Sequence, residues 1–235
     1  DAEFFKDLTA FLALREENTA AASAPILPPA PSARIELRDV RFRYPGTERY
    51  VLDGLNLTLE SGKRYALVGA NGCGKTTVTR LLTGLYPAES GCIRINGRDL
   101  REINAAELHS LISVVYQDFA RYSVSLGDNV FLGREVADDG KVFERTGLDS
   151  LVARLPKGVF TPLGKIASDG VDISGGEWQR VAIARSLAHP AALRILDEPT
   201  AALDPVAESE LYTSFERLTE EATTLLITHR LGATK

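Results

Sequence analysis

The chain has 235 residues, 44% of them hydrophobic and 25% charged, with 27 basic against 32 acidic side chains and a net charge of −5. That balance suits one large globular domain or two small ones and lacks the basic footprint of a nucleic-acid binder. No run reaches the roughly 18 apolar residues of a bilayer-spanning helix, and the mixed, charged start has no apolar segment of a secretory signal. Two cysteines, Cys73 and Cys92, make no disulfide framework, so a reducing compartment is the default. Methionine is absent throughout, and the sequence stops at THRLGATK. Both are expected of a piece of a longer polypeptide, the alternative being a processed or re-engineered start.

In chain order, residues 1–17 place Phe4, Phe5, Leu8, Phe11, Leu12 and Leu14 at helical spacing. This predicts a short amphipathic helix, either a surface helix or the tail of a preceding domain. Residues 18–33 are rich in Ala and Pro and almost uncharged, which is the composition of a linker. The folded body begins near Arg34. RIELRDVRFRY alternates apolar and polar residues and reads as a half-buried strand, and LDGLNLTLESG repeats the pattern and ends in a turn. RYALVG is a short apolar strand running into a Gly-rich loop, and KTTVTRLLTGL reads as a helix. A short strand follows over 92–96, then a helix near 104–111 and the apolar strand LISVVYQ. Residues 126–155 read as mainly helical. GGEWQRVAIARSLAH predicts a helix over 175–189, LRILDE a strand, 206–220 a helix and TTLLITH a final strand. Strand–helix alternation at both ends with a helical insert between predicts an α/β core with added subdomains.

Three motifs carry the chemistry. GANGCGKT, Gly69 to Thr76, fits G-x-x-x-x-G-K-[ST] between a predicted strand and helix. Small residues let the loop wrap phosphate oxygens, and the successive N–H groups and helix start supply positive potential. Lys75 reaches the β- and γ-phosphates and the Thr76 hydroxyl ligates Mg²⁺. Alone, this motif specifies a nucleoside triphosphate and no particular activity. LRILDEPT puts Asp197 and Glu198 at a strand end, where an open α/β sheet has its ligand crevice. Asp197 is placed to hold Mg²⁺ and Glu198 to orient or deprotonate an attacking water. Arg194, inside an otherwise apolar strand, predicts a partly open sheet face or a snorkelling stem. DISGGEWQR supplies a second anion-binding helix start, with Ser174 as cap and Gly175 and Gly176 permitting close approach.

Together these three motifs resemble the nucleotide-binding domain of an ATP-binding cassette (ABC) transporter, over residues 34–235. The resemblance implies a P-loop NTPase (RecA-like) core, an antiparallel β subdomain and a helical, signature-bearing subdomain over about 118–188. It implies ATP and Mg²⁺ as ligands. Tyr44 is then the aromatic that stacks on adenine, with Val51 also at the nucleotide. The cradle comprises Gly69, Asn71, Gly72, Cys73, Gly74, Lys75, Thr76 and Thr77. Gln117 touches Mg²⁺ or the attacking water, and His229 contacts the γ-phosphate. Asp204 lies in the loop that crosses to the partner chain. The family closes two cassettes head to tail, so Ser174, Gly175, Gly176 and Glu177 would serve the nucleotide of a second copy or of a paralogous cassette. Hydrolysis would then reopen the dimer and drive a transmembrane domain.

The chain departs from the family pattern at Glu177, where a glutamine is common, and at Cys73, where a small residue is usual. The family continues past the last strand, so the C-terminal end is expected to be cut short. The amphipathic start and linker resemble the join to the last membrane helix of a fused exporter. VVYQDFARYSVSLGDNVFLG is similar to bacterial peptide and lantibiotic-type exporters. The expected site of action is the cytoplasmic face of the cell membrane, with no nucleic-acid partner. The alternative is a soluble ABC ATPase of DNA-repair or translation type. The first would split cradle and signature by a long coiled coil, and the second would carry two cassettes and basic arms. A P-loop kinase would lack the Ser-Gly-Gly signature.

Overall fold

The computed structural model describes residues 6, 9, 31–133, 141–166, 168–199 and 222–229. Apart from Lys6 and Thr9, both helical, the predicted amphipathic helix lies outside the described residues, as do most of the linker, the helix over 206–220 and Asp204.

Strand β1 (Ile35–Phe42) buries Ile35, Leu37, Val40 and Phe42. Its apolar residues slip phase between 37 and 40, and a bulge absorbs the slip. Asp39 adopts φ 47°, and the pairing shifts register there against both neighbouring strands. The bulge needs Gly91 opposite it, at φ 83°, because a Cβ on Gly91 would lie 2.4 Å from the Asp39 carbonyl oxygen. Strands β2 (Leu52–Leu59) and β3 (Arg64–Val68) follow, then helix α1 (Lys75–Leu82), β4 (Ser90–Ile95) and the two-residue β5 (Arg98–Asp99). Helix α2 (Ala105–Leu111) starts at Asn104, whose side chain accepts from the Glu107 N–H, and runs directly into β6 (Ile112–Val115). The insert holds α3 (Leu126–Phe131), α4 (Lys141–Arg145) and α5 (Asp149–Arg154). Helix α6 (Gly175–Leu187), β7 (Leu193–Asp197) and β8 (Thr223–Thr228) complete the described elements.

Two sheets result. One is antiparallel, in the order β2-β1-β4-β5, and the other parallel, in the order β3-β8-β7-β6. A first core joins them through Leu37, Leu59, Val78, Leu81, Ile195 and Leu225, among others. A second core fills the helical insert with Leu126, Phe143, Leu151, Leu163, Trp178 and Val181. The third is small, with Val115, Ala182, Ile183 and Leu196 fixing α6 onto the parallel sheet. Helix α6 therefore faces apolar side chains on two sides, which explains its weak amphipathic contrast.

Strand β7 is buried along its whole length. The predicted open face at Arg194 is absent. Arg194 is 8% exposed, and its guanidinium donates to the carbonyls of Ser186 and His189, the latter at 3.0 Å. The charge thus sits on the negative end of the α6 dipole. Burial, with Arg145 nearby, lowers its pKa to about 10, so it stays charged at neutral pH. The opposite half of α6 is also tied to this strand, because Gln179 donates to the Pro199 carbonyl just past it.

Candidate nucleotide-binding site

The parallel register sets Val68 beside Thr228, Asp197 beside Ile227, and Val115 beside Leu196. The chain therefore leaves all four strands at one edge. Gly69, Gln117, Glu198 and His229 follow within one or two residues of β3, β6, β7 and β8. That carboxyl edge is where open α/β sheets bind ligands.

The loop between β3 and α1 carries the cradle. Gly74 is the N-cap of α1 at φ 99°, and a Cβ there would lie 2.9 Å from Leu52 Cδ2 and 3.2 Å from the Val51 carbonyl oxygen. Only glycine fits, and Val51 is thereby set against the loop. Lys75 is buried, its Nζ donating to the carbonyls of Gly69 at 2.7 Å and Ala70 at 3.0 Å. Its charge is held over the loop where it can exchange carbonyl for phosphate oxygens. Asn71, Gly72 and Cys73 are exposed on the rim. A Cβ on Gly69 would lie 2.8 Å from Cys73 Sγ, so the thiol reaches across the cradle. Alkylation of Cys73 by a bulky maleimide, in a Cys92→Ser background, is expected to abolish ATP binding measured by equilibrium dialysis. Unchanged affinity after full modification, verified by mass spectrometry, would contradict this placement.

Asp197 is 1% exposed, and among the described residues neither carboxylate oxygen has a hydrogen bond of normal geometry. Burial pushes its pKa above the ordinary range. The Thr76 hydroxyl favours the charge and Glu198 opposes it, while Lys75 and Arg80 act in the favourable direction. A buried carboxylate beside a hydroxyl, with the Gln117 amide two residues past the adjacent strand β6, offers an oxygen donor set for a hard cation. Among the described residues there is no cluster of three His, Cys, Asp or Glu to cage a metal. Mg²⁺ held by one carboxylate and by substrate phosphates needs no such cage, so the donors fit it.

Glu198 adopts φ 50°, a left-handed backbone that is rare outside glycine. Its N–H donates to the Ile227 carbonyl at 3.0 Å, extending the sheet pattern past the strand. The turn swings its carboxylate out of the sheet, and His229 Nδ1 lies 3.1 Å from Glu198 Oε1. A strained conformation held by the surrounding fold is typical of functional positions.

Tyr44 follows β1. Its ring packs edge-on against Phe42 and Tyr86, with centroids 5.0 and 5.4 Å away. Its hydroxyl lies 3.0 Å from Thr77 Oγ1 and accepts from Arg80 Nη1 at 2.8 Å. The aromatic ring is thus tied to the helix that carries Lys75 and Thr76. Arg80 escapes a motif search, although its i+3 spacing from Thr77 puts both on one helix face.

Ser174 caps α6 in a reciprocal box: its Oγ accepts from the Glu177 N–H, and the Glu177 carboxylate accepts from the Ser174 N–H at 2.8 Å. Gly175 and Gly176 begin the helix, where N–H groups have no intrahelical acceptor. Among the described residues, no hydrogen bond or ion pair joins Ser174–Gly176 to the cradle of the same chain. The structure brings together the cradle, Gln117, Asp197, Glu198 and His229, and it places the signature on the helical layer.

These features define a P-loop nucleotide-binding domain whose crevice lies at the carboxyl edge of a parallel sheet. The family model for the ABC transporter matches residues 52–201, and the chain belongs to that family. It is 36% identical over 237 residues to the subtilin transport ATP-binding protein of Bacillus subtilis, an alignment covering 99% of this chain and 38% of that protein. It is 37% identical over 205 residues to the ATP-dependent lipid A-core flippase of Aromatoleum aromaticum, covering 86% of this chain and 34% of the relative. In structure it is similar to a bacterial Atm1-family ABC exporter with ATP bound, with TM-score 0.84 and 31% identity over 97% of this chain and 40% of that one. The chain thus spans under half the length of each of these proteins.

Proposed function

We propose that this chain is the ATP-binding and hydrolysing cassette of an exporter, and that closure of two cassettes on ATP, followed by hydrolysis, powers export across a membrane. The observation that carries the reading is the meeting of the cradle, the buried Asp197 and the Glu198–His229 pair at one sheet edge. Adenine stacks on Tyr44 beside Val51, and the triphosphate lies along the loop from Gly69 to Thr77. Lys75 turns from the loop carbonyls to the β- and γ-phosphates. Thr76, Asp197 and Gln117 hold Mg²⁺, which neutralises charge on the phosphate oxygens when bound. Glu198 accepts a proton from the attacking water as the water oxygen bonds to the γ-phosphorus and the bond to the β-phosphate oxygen breaks. His229, fixed through Nδ1, offers Nε2 to the γ-phosphate.

Ser174–Gly176 face the nucleotide of a second chain, homologous or identical, arranged head to tail, with Asp204 at the crossing. A helix start there favours ATP over ADP, because the charge it faces is the one that hydrolysis removes. The conformational change passes to a transmembrane domain, and the cassette works at the cytoplasmic face. The alignment with the subtilin transport protein spans 99% of the chain, Ala/Pro segment included, which supports an exporter that carries both domains in one polypeptide. A complete site that needs two chains makes a kinetic prediction. Specific ATPase activity per chain should rise with protein concentration before reaching a plateau. Constant specific activity over a hundredfold dilution series would show that one chain hydrolyses ATP alone.

A further inference from the structure

Glu177 puts an acid in the first turn of the helix that faces phosphate. Its Oε2 accepts from the Ser174 N–H and, at 2.9 Å, from the Ser174 hydroxyl. Its Oε1 accepts from Arg154 Nη2 at 2.6 Å. Burial opposes its charge, but the hydrogen bonds from Ser174 and Arg154 outweigh burial and hold its pKa below the ordinary carboxylate range. The signature thus carries a full negative charge at neutral pH, and its serine hydroxyl is already donating to it. Both facts work against a γ-phosphate.

Arg154 is the group that answers both. It is the last residue of α5, 23 positions away in sequence, and the second core packs Leu151 of α5 together with Trp178 of α6. The pattern extends to the segment entering the helix, where Asp172 is paired with Lys165 at 3.2 Å. We propose that Arg154 is a positioning residue of the nucleotide site formed across the dimer. It cancels the charge of Glu177 and anchors Oε1 on α5, so that the Ser174 hydroxyl, which donates to Oε2 in the isolated chain, can turn to the partner's γ-phosphate. This rests on the reading that Ser174–Gly176 serve a second chain.

The test is sedimentation equilibrium with Mg-ATP in a Glu198→Gln background. Arg154→Ala should weaken the ATP-held dimer about tenfold, since each dimer carries two such pairs and an exposed pair contributes a few-fold each. The loss should shrink at high salt, where the uncompensated charge is screened. ATP affinity of the monomer should not change. Adding Glu177→Gln to Arg154→Ala should restore dimerisation to within about threefold, and Arg154→Lys should retain most of it. A merely structural arginine predicts no rescue by Glu177→Gln. Dimerisation of Arg154→Ala equal to the background, or a double variant as weak as Arg154→Ala, overturns the inference. Failure of the Glu198→Gln background itself to dimerise overturns the two-chain reading beneath it.

Discussion

Glu198→Gln is expected to bind Mg-ATP with near wild-type affinity, to hydrolyse it at least about a hundredfold more slowly, and to sediment as a dimer in ATP but not in ADP. Glutamine has the shape of glutamate, so the amide oxygen can keep the His229 Nδ1 contact now made at 3.1 Å. The turn at φ 50° is a backbone feature that the substitution leaves in place. What disappears is the proton acceptor, and the loss of a general base costs about 10²–10⁴ in rate. Binding should not suffer. Glu198 is one of the charges that push the Asp197 pKa upward, and neutralising it favours the ionised Asp197 that a cation requires. With binding intact and hydrolysis stalled, the ATP-held dimer accumulates. Turnover at the wild-type rate would remove Glu198 from the role of base.

Ser174→Arg should separate the two halves of the site. The position is exposed, so an arginine can be accommodated in the isolated chain at the cost of a helix cap, about 0.5–2 kcal/mol. The cradle residues have no described contact with Ser174, and ATP affinity of the monomer should stay unchanged. Between two chains, an arginine is too long for the gap that a hydroxyl spans, so dimerisation and hydrolysis should both fall below detection. Calorimetric ATP titration, sedimentation and a melting curve on the same sample distinguish the outcomes. Loss of ATP affinity in a folded monomer would place the signature in the pocket of its own chain.

β1 and β2 are legible in the sequence because their side chains alternate, the strands of the parallel sheet because they form short apolar runs, and the phosphate loop because its glycines and lysine stand at fixed spacing. Spacing and strand ends alone thus assign the cradle, Asp197 and Glu198 to one crevice. Three features are not legible, each for a physical reason. β5 has two residues, Arg98 and Asp99, too few to show a period. Arg194 misleads because a strand pattern reports which positions are buried and not what lies opposite them. Here the helix-end carbonyls of Ser186 and His189 offer acceptors to a buried cation. The role of Glu177 is half visible. Ser174-x-x-Glu177 has the spacing of a capping box, but Arg154 comes from another helix and no local signal announces it. The phase slip in β1 is readable in principle, since Leu37 and Val40 cannot both face inward without an extra residue between them.

The strand order of the parallel sheet bears on how the protein is made. β3, which feeds the phosphate loop, pairs among the described strands with β8 alone, and β8 also separates β3 from β7. As the chain leaves the ribosome from its N-terminus, the antiparallel sheet can close once β4 has emerged, because β1, β2 and β4 all lie within residues 35–95. The phosphate-loop strand must wait for Thr223–Thr228, more than 150 residues later. Until then it is an unpaired edge, the kind of late, long-range closure that is slow and prone to aggregation. A ribosome stalled before residue 223 should therefore display a folded antiparallel sheet on a nascent chain with no capacity to retain nucleotide.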